Sequence, residues 1–223
     1  MYKHYSFFIV SLVIIIQIKC QSPKLHVEVL YESLCPDSLN FITQQLHPVF
    51  KELAPYVDLK LTPFGKSVSL ENGVQFVCQH GPQECKGNRI QSCVLNSISD
   101  QSIQVDYVNC FMKTFKKGQK NQQEFGQVCA EAVGLDFAHI SQCYSSALGT
   151  NLQLVAEQST ARISPKFVPT VYVIIIKIYT DAYFQQFNQQ LQDASLTDFR
   201  GVVCQLLSQT HPEACQTPSV IRL

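Results

Sequence analysis

The segment YESLCPDSLNF, residues 31–41, contains a cysteine and connects a stretch with strand-like spacing of apolar residues to a stretch with helix-like spacing. Just before it, LHVEVLY (25–31) carries apolar residues at every second position, which predicts a β-strand. Over residues 39–53 the apolar residues recur every three or four positions, which predicts an amphipathic helix. Pro36 fits the first helical turn, where its missing N–H has no cost. Cys35 is therefore predicted to lie at a strand-to-helix junction.

The rest of the chain extends this start into an α/β pattern. VDLKLTPF (57–64) alternates again, so strand, helix and strand form a βαβ unit. Residues 66–94 contain Gly, Pro, Asn and three cysteines and are predicted to be irregular. Helical spacing then extends over about 94–161, a β-branched run (166–179) predicts one or two strands, and a final amphipathic helix follows. We expect a helical insertion within a βαβ…ββα core.

The first residues resemble a secretory signal peptide. Lys3 and His4 precede an apolar run at 6–16, which is too short to span a bilayer but typical of a signal peptide. We expect residues 1–20 to be the signal and 21–223 to form one domain. An uncleaved membrane anchor is the alternative.

Composition excludes some partners. Charged residues are only 15% of the chain, the formal net charge is zero and no basic run stands out, so nucleic acid is not expected as a partner. With 46% hydrophobic residues, the chain has enough apolar side chains for a packed core. No membrane association is expected after removal of the signal.

The cysteine count points to an oxidising compartment and one free thiol. The chain has ten cysteines, and loss of Cys20 with the signal leaves an odd number. A secreted chain forms disulfides, so eight cysteines could pair and one would remain free. The count alone does not identify the free cysteine or the pairing.

Three of these cysteines lie in CQHGPQECKGNRIQSC, residues 78–93. Their spacing is wider than the C-x2-4-C pattern of zinc knuckles, so we interpret them as structural disulfide cysteines and expect no metal site. The segment also resembles the signature of the gamma-interferon-inducible lysosomal thiol reductase family, CQHG-x2-EC-x2-N-x4-C. Its fixed positions are met by Cys78, Gln79, His80, Gly81, Glu84, Cys85, Asn88 and Cys93.

This resemblance implies a fold, an activity and a set of site residues. The fold would be thioredoxin-like, with a helical insertion and disulfide staples, and the activity would be reduction of protein disulfides in endosomes and lysosomes. Cys35 would be the nucleophile, and Pro169 would be a cis-proline facing it. The remaining cysteines would be structural: Cys78, Cys85, Cys93, Cys110, Cys129, Cys143, Cys204 and Cys215.

The residues around Cys35 agree with this assignment but also depart from it. A helix N-terminus favours a thiolate, whereas the nearby Asp37 disfavours a second negative charge. The family's usual C-x-x-C is here Cys35-Pro36-Asp37-Ser38. A serine cannot resolve a mixed disulfide. Ser38 is either a hydrogen-bond donor to the thiolate or an ordinary helix residue, while His80 and Glu84 are more readily structural than proton-transferring.

Two functional hypotheses follow. The first is a monothiol oxidoreductase that acts on disulfide-containing proteins or peptides in the endolysosomal lumen or outside the cell. It would need an external small thiol as reductant and no metal or organic cofactor. The second is a disulfide-stapled secreted binding protein that kept the scaffold and lost turnover, as Ser38 would allow.

Overall fold

The computed structural model describes residues 23–115, 126–176, 183–185 and 189–216, so the predicted signal peptide lies outside the described residues. The first elements are β1 (Leu25–Tyr31), α1 (Pro36–Asn40), a π-helical segment (Phe41–Leu46), α2 (His47–Leu53), β2 (Val57–Pro63), β3 (Val68–Leu70), a 3-10 turn (Glu71–Gly73) and β4 (Gln75–Val77). The later elements are α3 (Pro82–Ser97), α4 (Gln101–Thr114), α5 (Gln127–Ala132), α6 (Phe137–Ser145), α7 (Ala147–Ile163), β5 (Thr170–Ile176), β6 (Tyr183–Gln185), α8 (Gln189–Leu207) and a 3-10 turn (Pro212–Cys215).

The main sheet has the strand order β2-β1-β5-β6. Strands β1 and β2 are parallel, with Val29 opposite Leu61, while β5 runs antiparallel to β1 and β6 antiparallel to β5. Strands β3 and β4 form a separate antiparallel pair. Helices α3 to α7 lie between β4 and β5 in the chain. The predicted α/β class and the βαβ…ββα core are confirmed.

Strand β1 is the centre of the sheet and is covered on both faces. Val27 and Val29 belong to the hydrophobic core. Glu28, which points to the opposite face, is also fully buried. Its carboxylate is paired with Arg162 at 2.7 Å and with Lys60 at 2.9 Å. The pairing explains why a charged residue is tolerated inside the sheet.

The prediction that residues 66–94 are irregular is wrong, because β3 and β4 pair within 68–77 and α3 begins at Pro82. The buried face of this helix is unusually polar: Glu84, Asn88, Gln91 and Ser92 are all buried, at helical spacing. A search for apolar periodicity does not detect such a face. The helical block therefore starts before the predicted boundary near residue 94.

Four disulfides cross-link the described part of the chain: Cys78–Cys85, Cys93–Cys143, Cys110–Cys129 and Cys204–Cys215. Among the described residues, Cys35 is the one free cysteine, and it is buried. The sequence left this pairing open, and the structure now defines it. No helix within the described ranges is both long enough and apolar enough to cross a membrane.

Candidate active site

Cys35 lies between β1 and α1, as the sequence predicts. It is the N-cap residue of α1, and Leu39 N–H donates to its carbonyl oxygen at 3.0 Å. The side chain is only 6% exposed. Its Sγ lies 3.7 Å from the carbonyl oxygen of Val168. The Val168–Pro169 peptide bond is cis. The fold thus brings the proline loop against the thiol from a distant part of the chain.

Ser38 is fully buried one turn into the helix. Its Oγ accepts a hydrogen bond from the backbone N–H of Glu32 at 3.3 Å. The partner that the structure assigns to this hydroxyl is therefore the loop backbone rather than the Cys35 sulfur. In contrast, Asp37 is exposed to solvent, so its carboxylate acts on the thiol through a high-dielectric environment.

Glu84 connects two segments from its position on α3. Its Oε1 accepts the backbone N–H of His80 at 3.0 Å, and its Oε2 lies 2.6 Å from His80 Nδ1. The same Oε2 accepts the backbone N–H of Leu34 at 3.3 Å. This buried carboxylate therefore holds the turn that precedes α3 and the loop that carries Cys35.

Asn88, one turn further along α3, holds the same loop. Its Oδ1 accepts the Ser33 N–H at 2.9 Å, and Ser33 Oγ donates to the Glu84 carbonyl at 3.1 Å. Gly87 allows this close approach, since a Cβ at that position would lie 2.5 Å from Ser33 Oγ. Two fixed positions of the signature thus act as a platform beneath the cysteine loop.

The remaining signature residues shape the turn before α3. Cys78 and Cys85 are joined, which ties the end of β4 to the first turn of the helix. Gly81 has φ = +95°, a conformation that favours glycine, and is the N-cap residue of α3. Gln79 is exposed. The third cysteine of the signature, Cys93, is bridged to Cys143 of α6.

Glu32 is a site residue that the sequence analysis missed. It is fully buried, and its Oε1 accepts the Lys66 N–H at 2.6 Å. Burial raises the pKa of this carboxyl; the Lys66 N–H bond opposes the rise, and the charge of Glu84 adds to it. A charged residue three positions before the cysteine, between two predicted elements, was the available signal.

Glu32 also brings the cysteine and the histidine into one cluster. Its Oε2 lies 3.3 Å from His80 Nδ1. One ligand atom each from Glu32, Cys35 and His80 lie within 4.8 Å of one another. A sulfur, a nitrogen and an oxygen donor therefore converge beside the predicted nucleophile.

Gln192 is a second residue that was missed. From α8, its Nε2 donates to the Pro169 carbonyl at 2.9 Å, and its Oε1 accepts the Val171 N–H. These bonds fix the backbone on both sides of Thr170. The sequence offered no signal for this residue, because glutamine is common on helix surfaces and the burial of Gln192 is visible only in the fold.

Comparison with known proteins places the chain in a family. The model of the Gamma interferon inducible lysosomal thiol reductase (GILT) family matches residues 26–133. GILT-like protein 1 of Drosophila melanogaster is 35% identical over 207 residues, which cover 86% of this chain and 78% of that protein. The chain belongs to the GILT family. A GILT-like protein of Anopheles gambiae is 37% identical over 211 residues, covering 88% of this chain and 82% of that protein.

Solved structures that resemble this GILT chain are thioredoxin-like. A putative protein disulfide isomerase from Nitrosomonas europaea aligns with a TM-score of 0.53 at 14% identity, over 83% of this chain and 97% of that one. BdbD from Bacillus subtilis aligns with a TM-score of 0.51 at 11% identity, over 77% of this chain and 87% of that one. At such identities the likeness shows the fold alone. The predicted GILT resemblance and the thioredoxin-like fold are confirmed, and together they support a thiol oxidoreductase.

Proposed function

We propose that this GILT-family chain is a monothiol oxidoreductase that acts on protein disulfides in the endolysosomal lumen or outside the cell. One observation carries the proposal: the free thiol among the described residues is Cys35, at a helix N-terminus and beside the Pro169 loop. Four disulfides and the family assignment are consistent with such a compartment.

In the first step, the Cys35 thiolate attacks one sulfur of a substrate disulfide. The Cys35–substrate disulfide forms, the substrate's S–S bond breaks, and the other substrate sulfur leaves as a thiolate that takes a proton from solvent. Cys35 is the N-cap residue of α1, so the attack takes place at a helix N-terminus. The backbone next to Pro169 would offer an edge for an extended substrate.

The second step requires a partner from solution. Ser38 cannot attack the mixed disulfide, so an external thiol displaces the reduced substrate and is left bonded to Cys35. A second molecule of that thiol then releases Cys35 and becomes part of a small-molecule disulfide. Two thiols are oxidised for each substrate disulfide reduced. No metal or organic cofactor takes part.

This proposal is tested by reduction of a disulfide-containing protein by the purified mature chain in acidic buffer, with and without a small thiol. We expect sustained turnover only with the thiol, and loss of turnover in Cys35→Ser. A Cys35 found bridged to another cysteine would refute the proposal.

The alternative is a secreted binding protein that has lost turnover, and the serine at position 38 is the observation that favours it. It would be preferred if Cys35 is free, no small thiol supports turnover, and Ser38→Cys restores the activity.

A further inference from the structure

We propose that Glu32, Cys35 and His80 form a binding site for a thiophilic divalent cation, with Zn²⁺ as the best match. The inference goes beyond the oxidoreductase proposal, because metal binding needs no turnover. It rests on the convergence of three different donor atoms within 4.8 Å of one another. Sulfur, imidazole nitrogen and carboxylate oxygen together are the donor set of zinc sites, whereas Mg²⁺ and Ca²⁺ prefer oxygen alone.

The distances fit a tetrahedral site after a small adjustment. With metal bonds of about 2.0–2.2 Å to nitrogen and oxygen, two such ligands of a tetrahedral zinc are about 3.3–3.5 Å apart. Glu32 Oε2 and His80 Nδ1 are already 3.3 Å apart. The Cys35 sulfur, at a metal bond of about 2.3 Å, would lie about 3.6 Å from each of those atoms in a tetrahedral site, so it would need to approach by about 1.2 Å at most. Reorientation of one side chain supplies such a movement.

An unsatisfied atom points to a missing ligand at the same place. Glu32 Oε2 is buried and accepts no hydrogen bond within the described part of the chain. Its sister atom Oε1 is satisfied by Lys66 N–H. The single proton of His80 Nδ1 is closer to Glu84, at 2.6 Å, than to Glu32. A buried carboxylate oxygen without a partner is costly, and a bound cation would satisfy it.

The local charge also favours a cation. Two fully buried carboxylates, from Glu32 and Glu84, lie within 3.3 Å of the same imidazole nitrogen. A divalent ion held there would be the largest positive charge in the site and would neutralise the carboxylates as it bound them. For His80 Nδ1 to bind the metal, the proton that it shares with Glu84 Oε2 must pass to solvent. Glu84 Oε2 would then become the fourth ligand, while Oε1 keeps the hydrogen bond from the His80 backbone N–H.

The consequence for the protein is a masked nucleophile. Coordination to zinc engages one lone pair of the Cys35 sulfur and lowers its nucleophilicity, so the metal-bound sulfur would attack a disulfide far more slowly than the free thiolate. The ion would therefore be a reversible blocker of Cys35 rather than a cofactor. Chelation would restore the free thiol.

The test uses the oxidised mature protein with its disulfides intact. The protein is freed of metal by chelation, then titrated with Zn²⁺ alone, and separately with Co²⁺ alone as a spectroscopic probe. We expect one ion per chain and a thiolate-to-cobalt charge-transfer band. Zn²⁺ should also protect Cys35 from alkylation.

Variants identify the ligands. Glu32→Gln keeps the size of the side chain and an oxygen for Lys66 N–H, so it should fold. Glu32→Gln, Glu84→Gln and Cys35→Ser each remove a charged ligand atom and should each weaken Zn²⁺ binding by at least about 10–100-fold. His139→Asn, at an exposed histidine paired with Asp136, is the control and should bind normally.

The site would be ruled out if Zn²⁺ does not bind, or if binding survives both Cys35→Ser and Glu32→Gln. The metal-site proposal and the oxidoreductase proposal can each fail while the other holds. A chain that reduces disulfides but binds no Zn²⁺ refutes only the metal site. A chain that binds Zn²⁺ through these residues, yet reduces nothing after chelation, refutes only the oxidoreductase.

Discussion

At the level of single residues, the serine at position 38 leaves the first step of thiol–disulfide exchange possible and removes the internal thiol that would carry out the second. The Cys35 nucleophile is kept, while the serine removes the internal route out of the mixed disulfide. The buried Ser38 hydroxyl has a structural task instead, since it accepts the Glu32 N–H at 3.3 Å. A change at this position therefore affects both chemistry and loop stability.

Ser38→Cys should release the substrate without an external thiol in a single turnover. The reduced variant would end with a disulfide between Cys35 and the introduced cysteine, whereas the native chain would stop at the mixed disulfide. Because sulfur is a weaker acceptor than the hydroxyl, we expect a loss of about 1 kcal/mol in the free energy of unfolding. Mass spectrometry of the acid-quenched reaction distinguishes the species, and Ser38→Ala should still trap the adduct. Release of substrate by the native chain without thiol would contradict this prediction.

Asn88→Ala should weaken the platform beneath the cysteine loop. It removes the acceptor of the buried Ser33 N–H, and an unsatisfied buried donor costs about 1–3 kcal/mol. Urea unfolding measures this loss. Asn96→Ala, at an exposed position of the same helix, should change stability by no more than about 0.5 kcal/mol. Equal effects of the two substitutions would show that the Ser33 contact is not stabilising.

At the scale of elements, helix α3 determines the site although it contributes no nucleophile. Its polar buried face holds the loop before α1 through Glu84 and Asn88. Tyr31 at the end of β1 adds a third link, since its hydroxyl donates to Gln91 at 2.6 Å. The disulfide Cys93–Cys143 in turn fixes α3 to α6. The geometry around Cys35 thus depends on how this helix is anchored.

Removing Cys93–Cys143 should cost more stability than removing Cys204–Cys215. The two bridges span 50 and 11 residues, for which loop entropy predicts about 4 and about 3 kcal/mol. Cys93 is also more buried, which adds to its loss. Paired alanine variants and denaturant unfolding provide the measurement. If removal of Cys204–Cys215 costs more stability, the length of the closed loop does not control how much these two disulfides stabilise the protein.

Asp58→Asn should destabilise the pairing of β1 with β2 only above acidic pH. Partial burial raises the pKa of Asp58, but hydrogen bonds with His26 and Gln101 outweigh it, so the pKa lies below its ordinary value. A lowered folded-state pKa stabilises the protein above the unfolded pKa, about 3.9, and this contribution disappears as the pH falls through the folded value.

Unfolding measured across pH should therefore show a difference between Asp58→Asn and the native chain that is constant near neutrality and shrinks below about pH 4. The effect should be small, since the side chain is half exposed. Glu71→Gln, at an exposed carboxylate outside the cysteine loop, is the control and should change stability by no more than about 0.5 kcal/mol at any pH. If the difference grows as the pH falls, the pKa of Asp58 is raised in the folded protein rather than lowered, and the prediction is wrong.

At the scale of the whole molecule, the fold joins segments that are distant in the chain. Cys35 and Val168 are separated by 133 residues, yet the thiol lies 3.7 Å from the Val168 carbonyl. Strand β5 lies directly beside β1 in the sheet, and this places the Pro169 loop next to the end of β1. In the described part of the chain, the pairing of eight cysteines around this core leaves one thiol, that of Cys35.

The mature chain should therefore carry one reactive thiol. Alkylation under denaturing, non-reducing conditions should add one label, at Cys35, and alkylation after reduction should add nine, since four bridges and one free cysteine are present. Intact mass and peptide mapping give both counts. An unlabelled Cys35 peptide before reduction would contradict the structure.

Local patterns in the sequence were sufficient for the strands and the position of the nucleophile. Alternation in 25–31 and 57–64 corresponds closely to β1 and β2, because period two is a direct consequence of strand geometry. The part of helix α3 before residue 94 was missed, because many of its buried residues are polar and form hydrogen bonds. The apolar spacing that predicts a helix is therefore weak there. The odd cysteine count indicated a free thiol but not which one.

Local sequence patterns and the family signature were enough to predict the α/β order, the family and a cysteine at a strand-to-helix junction followed by a serine. The pairing of the cysteines, the partner of Ser38 and the presence of Glu32 and Gln192 in the site depend on contacts that form only in the folded chain. Glu32 is held by Lys66, 34 residues away, and Gln192 by Pro169, 23 residues away. The hydrogen-bond partners of a buried polar group come from the segments that the fold places around it, and the local periodicity of the sequence does not indicate which segments these are.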